Sequence, residues 1–139
     1  MPETDSMIED GRAHHALQCA KEAQAAGADT ADKYQSYAKN LPMRIKTNGL
    51  GAALAFVKAK KNGSGADASA YQHLYDGIAD WLQSDARAYL LVETATESND
   101  LTEQVVSLDS TAYRAVTREV LSLLAWMRRF ADGVIGADE

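Results

Sequence analysis

The chain has 139 residues, 46% of them apolar and only two proline, which suits one ordered globular domain able to bury about two-thirds of its unfolded surface. Its formal net charge of −6 leaves any polyanion binding to local patches, and no apolar run reaches the ~20 residues that span a bilayer. A single cysteine, Cys19, excludes an internal disulfide and fits a reducing cytoplasm, and the acidic start MPETDSMIED is not a signal peptide.

Alanine-rich runs and scarce β-branched residues predict helix throughout. A first helix is expected over residues 6–26, with Ala13, Ala16, Leu17, Ala20 and Ala23 on a small-residue face and Gly27 as its stop. Asp29 or Thr30 is placed to cap a second helix, in which Tyr34, Tyr37, Ala38 and Leu41 recur at helical spacing. Pro42 is expected to end or kink that helix and to begin the next, over 43–61. In that third helix Met43, Ile45, Leu50, Ala53, Leu54, Phe56 and Val57 cover an apolar arc of about 200°. Asn48–Gly49 resembles a hairpin turn but lacks alternating flanks, so it reads as helical. Gly51 and Ala55 lie on the exposed arc, where something could approach the backbone closely.

NGSGADA, residues 62–68, reads as a loop, with Asp67 capping a helix that carries Tyr71, Leu74, Tyr75, Ile78 and Leu82 as a stripe. A short helix is expected near 86–95, then a mobile linker, then a helical segment capped by Asp100. Asp109 is placed to cap the last helix, 110–131. Its apolar arc holds Tyr113, Val116, Val120, Leu123, Leu124, Trp126, Met127 and Phe130, with Trp126 and Phe130 expected in the core. Its opposite arc holds Arg114, Arg118 and Arg129, spread over about 22 Å of one solvent face. The expected fold is therefore an all-α single-domain bundle of about five to six helices, with residues 1–5 and 133–139 flexible.

Charge is sorted along the chain. No acid occurs between Asp32 and Asp67, where Lys33, Lys39, Arg44, Lys46, Lys58, Lys60 and Lys61 give +7, so the remainder carries −13 against the total of −6. Chemistry is much less visible. His14 and His15 are adjacent, about 100° apart on a helix, and cannot grip one metal as an i, i+4 pair could. Cys19 has no evident triad around it and reads as a buried thiol, and Asp76 with Asp80 reads as a solvated acidic face. NGLG and NGSG lack the spacing and the Lys-Ser/Thr of a phosphate loop. No catalytic residue, metal site or cofactor is assigned. The tyrosines and tryptophans fall mostly on apolar arcs, apart from the basic residues, so phosphate contact is expected and base stacking is not.

Two blocks carry a family resemblance: LPMRIKTNGLGAALAFVKAKK and YRAVTREVLSLLAWMRRFADG. Through Leu41–Pro42, Ile45, Asn48–Gly49–Leu50, Leu54–Ala55–Phe56, Tyr113, Thr117, Glu119, Leu121, Trp126 and Arg129–Phe130–Ala131, the chain resembles the small helical subunit of the type III-B CRISPR effector, the Cmr complex. The resemblance covers most of residues 12–132. It implies a non-catalytic helical bundle, several copies of which stack in a filament beside the guide–target path of a ribonucleoprotein. Its partners would be other subunits of that effector, further copies of itself, and guide and target RNA, with no membrane. On this reading the RNA-binding residues are Lys39, Arg44, Lys46, Lys58, Lys60, Lys61, Arg114, Arg118 and Arg129. Two other classes stay open: a helical protein–protein adaptor without RNA contact, and an enzyme whose site the sequence does not reveal.

Overall fold

Alanine on one face lets helices approach closely, and the bundle is organised around that approach. The computed structural model describes residues 11–84, 87–92 and 94–136. Among them are six α-helices and no strand: α1 (Arg12–Ala25), α2 (Ala28–Asn48), α3 (Leu50–Lys61), α4 (Gly65–Leu82), α5 (Leu101–Val106) and α6 (Ser110–Phe130). A 3₁₀ turn spans Ala88–Leu91, and a widened helical turn, Ala131–Ile135, follows α6. The expected residues 6–10 of the first helix lie outside the described residues, as do 1–5 and 137–139.

α1 buries Ala13, Ala16, Cys19, Ala20 and Ala23 against α6 and α4. Leu17, expected on that face, is half-exposed; Cys19 takes the buried place instead. Gly77 of α4 completes the close packing. A Cβ there would come within 2.9 Å of the Cys19 sulfur and 3.0 Å of the Met127 methyl, so a larger residue fits only if those side chains shift. α4 runs through the centre and packs on α1, α2 and α3, with Leu74, Ile78 and Leu82 fully buried. From α6, Val116, Val120, Leu123, Leu124 and Met127 are fully buried. Each such side chain contributes roughly 1.5–3 kcal/mol of hydrophobic stabilisation. Tyr34 is also fully buried, and its hydroxyl has no hydrogen-bond partner among the described residues.

Helix boundaries correct the sequence reading in several places. Pro42 neither ends α2 nor starts a helix; α2 runs through it to Asn48. The break lies at Gly49, whose φ of +94° and ψ of 156° are open to glycine and strained for any other residue. Gly49 still donates its N–H to the Ile45 carbonyl at 2.8 Å and accepts from Ala53 at 3.0 Å, so the backbone stays satisfied across the corner. Proline removes a donor, whereas a break of this kind needs a residue that can leave the helical region.

α2 starts directly after Gly27, with Thr30 buried and Asp29 in the first turn, so neither residue is its cap. α4 likewise starts after Ser64, and Asp67 sits inside its first turn. Asp100 and Asp109 do cap, accepting the N–H groups of Glu103 at 3.1 Å and Ala112 at 2.9 Å. The short helix near 86–95 is reduced to the 3₁₀ turn; residues 85, 86 and 93 lie outside the described residues. The segment after it is tied down rather than loose. Thr94 donates to the Gln104 carbonyl at 2.6 Å, Ala95 to that of Ser107 at 3.2 Å, and Gln83 to that of Asn99 at 3.0 Å. Ile135, in the terminal turn, is buried.

Candidate nucleic-acid interface

α6 alternates its two faces more sharply than any other helix here. Its only acid, Glu119, points inward and is 8% exposed, whereas Arg114, Arg118, Arg128 and Arg129 are all exposed. The outward face of α6 is therefore purely cationic. Glu119 stays ionised because it is fully engaged. Arg12 binds it through two nitrogens at 2.7 and 2.9 Å, the Trp81 indole N–H donates at 2.7 Å, and Arg87 Nε lies 3.2 Å away. Burial pushes its carboxyl up, but the hydrogen bonds from Arg12 and Trp81 and the charges of Arg12 and Arg87 outweigh that and hold it below the usual glutamate range. This one carboxylate joins α1, α4, the 3₁₀ turn and α6.

Beside α6, Lys46 of α2 faces Arg128 and Arg129 across an open groove of about 370 Å³. Pro42, Leu121 and Leu124 line it, and Asp132 stands at one edge, accepting from Gln35 at 2.9 Å. The structure thus brings Lys46 together with Arg129, while Arg114 and Arg118 continue the same cationic face along α6.

The rest of the basic island is partly neutralised. Lys58 is held by Asp100 at 3.1 Å, which raises the lysine's pKa and, against the opposing effect of burial, helps lower that of the aspartate. Lys33 pairs with Asp67 at 3.2 Å, and Tyr37 donates to the same carboxylate at 2.6 Å. Acids from outside the acid-free span therefore fold back onto it. Lys60 is exposed, with its ammonium 5.5 Å from the Phe56 ring centre, and Lys61 lies 5.0 Å from that of Tyr75. Lys39 is exposed on α2 and makes no ion pair with a described residue.

Two expectations fail here. Basic and aromatic groups are not kept apart: Arg44 lies 3.6 Å above the Phe56 ring, and Arg129 sits 5.3 Å from the Trp126 ring. Periodicity along one helix is blind to the first of these contacts, since Arg44 belongs to α2 and Phe56 to α3. The open approach expected at Gly51 is also filled from within. Tyr113 of α6 presses its hydroxyl there and accepts the Gly51 N–H at 2.7 Å.

The histidines and the cysteine behave as structural groups. His15 Nε2 lies 2.8 Å from the Gly77 carbonyl oxygen, and His14 is exposed. Burial, with Glu22 and Asp80 nearby, pushes the Cys19 thiol up to about 12, so it carries no thiolate near neutral pH. Among the described residues no three His, Cys, Asp or Glu side chains gather as metal ligands would, and no helix is long and apolar enough to cross a membrane.

A family model described as CRISPR-associated protein (Cas_Cmr5) matches residues 8–134. The chain belongs to that family. It is thus a small subunit of a type III-B CRISPR Cmr complex, and its partners include the other subunits of that complex. For this Cmr small subunit, sequence reasoning passes over Arg128 and the Glu119 cluster. Arg128 falls near the border of the α6 arcs, and only the position of α2 shows that it faces Lys46. Glu119 does leave a signal, because a lone acid on an apolar arc demands a cationic partner.

Proposed function

We propose that this subunit is non-catalytic and contacts RNA phosphates through the outward face of α6, with copies stacked in a filament beside the guide–target path. The observation that carries the reading is the sorting of charge on α6: four arginines outward, the sole acid buried inward and neutralised by Arg12 and Arg87. Arginine on a rigid helix suits phosphate oxygens, and the contact needs no base identity. Arg114, Arg118, Arg128, Arg129 and Lys46 are the principal contacts, with Lys39, Lys60 and Lys61 secondary. Lys58 contributes least, because Asp100 already neutralises it. Each contact is weak alone and becomes useful when several copies lie along one strand. The setting is antiviral defence in the cytoplasm.

The test uses the assembled complex. Arg114→Glu with Arg118→Glu is compared with Lys58→Glu, Lys60→Glu and Lys61→Glu together, once both variants are shown to fold and incorporate. The first variant is expected to weaken target-RNA binding more than the second. Wild-type affinity in both would favour the adaptor reading, in which these cations meet acidic surfaces of partner subunits.

A further inference from the structure

On the flank of α2 away from the α6 groove, three aromatic side chains from three helices meet. Tyr37 of α2 and Tyr71 of α4 stack with ring centres 3.9 Å apart and planes at 10°. Phe56 of α3 meets Tyr71 edge-on at 5.8 Å and 84°. All three rings are only half-buried. Between them is a cleft of about 120 Å³ with Leu41 and Leu74 as its apolar floor, Arg44 on one wall and Asn40, exposed, at the rim. The Arg44 guanidinium rests 3.6 Å above Phe56, and the residue as a whole stays half-exposed. The nearby acid, Asp67, is already occupied by Tyr37 and Lys33.

We infer that this cleft receives an unpaired base of single-stranded RNA, stacked beside Arg44 and Tyr37 with Asn40 at its edge. The inference rests on the RNA-contact reading above and adds a second kind of contact to it. Bases stack on aromatic rings and on arginine planes, and the preference is tolerant of sequence because every base has a flat face. The Asn40 amide offers both donors and an acceptor to a base edge. A paired base in a duplex has its faces covered and cannot enter. An apolar partner side chain fits the floor but would strip water from Arg44 without returning a hydrogen bond, so the charged wall favours a polyanion with flat polar groups.

The experiment uses the assembled Cmr complex and a single-stranded target RNA carrying 4-thiouridine at successive positions, irradiated and mapped by mass spectrometry on the unaltered chain. Adducts on peptides containing Tyr37, Phe56 or Tyr71 are expected, at a subset of positions. Phe56→Leu and Tyr37→Leu, checked for folding by thermal melts, are expected to lower target-RNA affinity about fivefold or more with the salt dependence unchanged. Adducts confined to α6, with wild-type affinity in both variants, would overturn the inference while leaving phosphate contact intact. Adducts on neither face, with wild-type affinity in both variants, would likewise overturn the inference, while phosphate contact, which places no base against the protein, is tested separately by its salt dependence. Variants that fold but no longer join the complex, with no adduct in the cleft, would make it a protein contact and overturn the inference.

Discussion

Glu119 shows how one side chain can decide both stability and surface charge. Its carboxylate is nearly inaccessible, yet it is bound by Arg12 at 2.7 Å and by the Trp81 indole at 2.7 Å. Glu119→Leu takes an acceptor away from Arg12, Trp81 and Arg87 at once and is expected to cost about 3 kcal/mol, the low end for a buried pair because Arg12 keeps some exposure to water. Glu119→Gln should cost less, since its amide oxygen can still accept from Trp81. The sign of the pH effect follows from the lowered pKa. The ionised pairing is complete above the ordinary glutamate range and is lost as pH falls through the folded value. Thermal melts of the unaltered protein should therefore drop on acidification through about pH 4, and the Gln variant should lack that component. Parallel acid limbs in the two proteins would show that other carboxylates carry it.

At the scale of elements, the connection between α2 and α3 depends on one residue. Gly49 at φ +94° makes the corner, and a Cβ there would lie 3.4 Å from the Tyr113 hydroxyl, so space is adequate and the backbone is not. Gly49→Ala is expected to destabilise by about 1–3 kcal/mol, read as a lower denaturant midpoint with unchanged slope. An unchanged midpoint would mean that α2 and α3 can join as one helix. Trp126 and Phe130 stack with centres 5.8 Å apart but stay half-exposed, at the edge of the core rather than within it. Trp126→Ala should accordingly cost about 2 kcal/mol rather than the ~3–5 of a fully buried tryptophan, by thermal melt. Much of this is legible in sequence. The stripes Leu74–Ile78–Leu82 and Val116–Val120–Leu123–Met127, and the caps Asp100 and Asp109, are local patterns, and the structure keeps them. What local pattern misses is where a second helix stands. Arg44 over Phe56, Lys58 on Asp100 and Tyr113 against Gly51 each join separate elements of the chain.

For the whole molecule, a chain of net charge −6 leaves the cations of α6 exposed and neutralises only part of its other basic residues. Asp67 and Asp100 neutralise Lys33 and Lys58, whereas the α6 arginines and Lys46 stay exposed without an ion pair among the described residues. Repeated along a filament of copies, that face would track a strand over a distance no single subunit spans. The measurement that bears most directly on this claim is the salt dependence of target-RNA binding by the assembled complex, with Arg114→Ala and Arg118→Ala in its small subunit. Neutralising a phosphate releases counterions, so the slope of log affinity against log salt should become shallower by about 0.7–0.9 for each phosphate that the variant no longer neutralises, equally for unrelated RNA sequences. An unchanged slope in a variant that folds and incorporates would contradict the assignment of α6 to the RNA path.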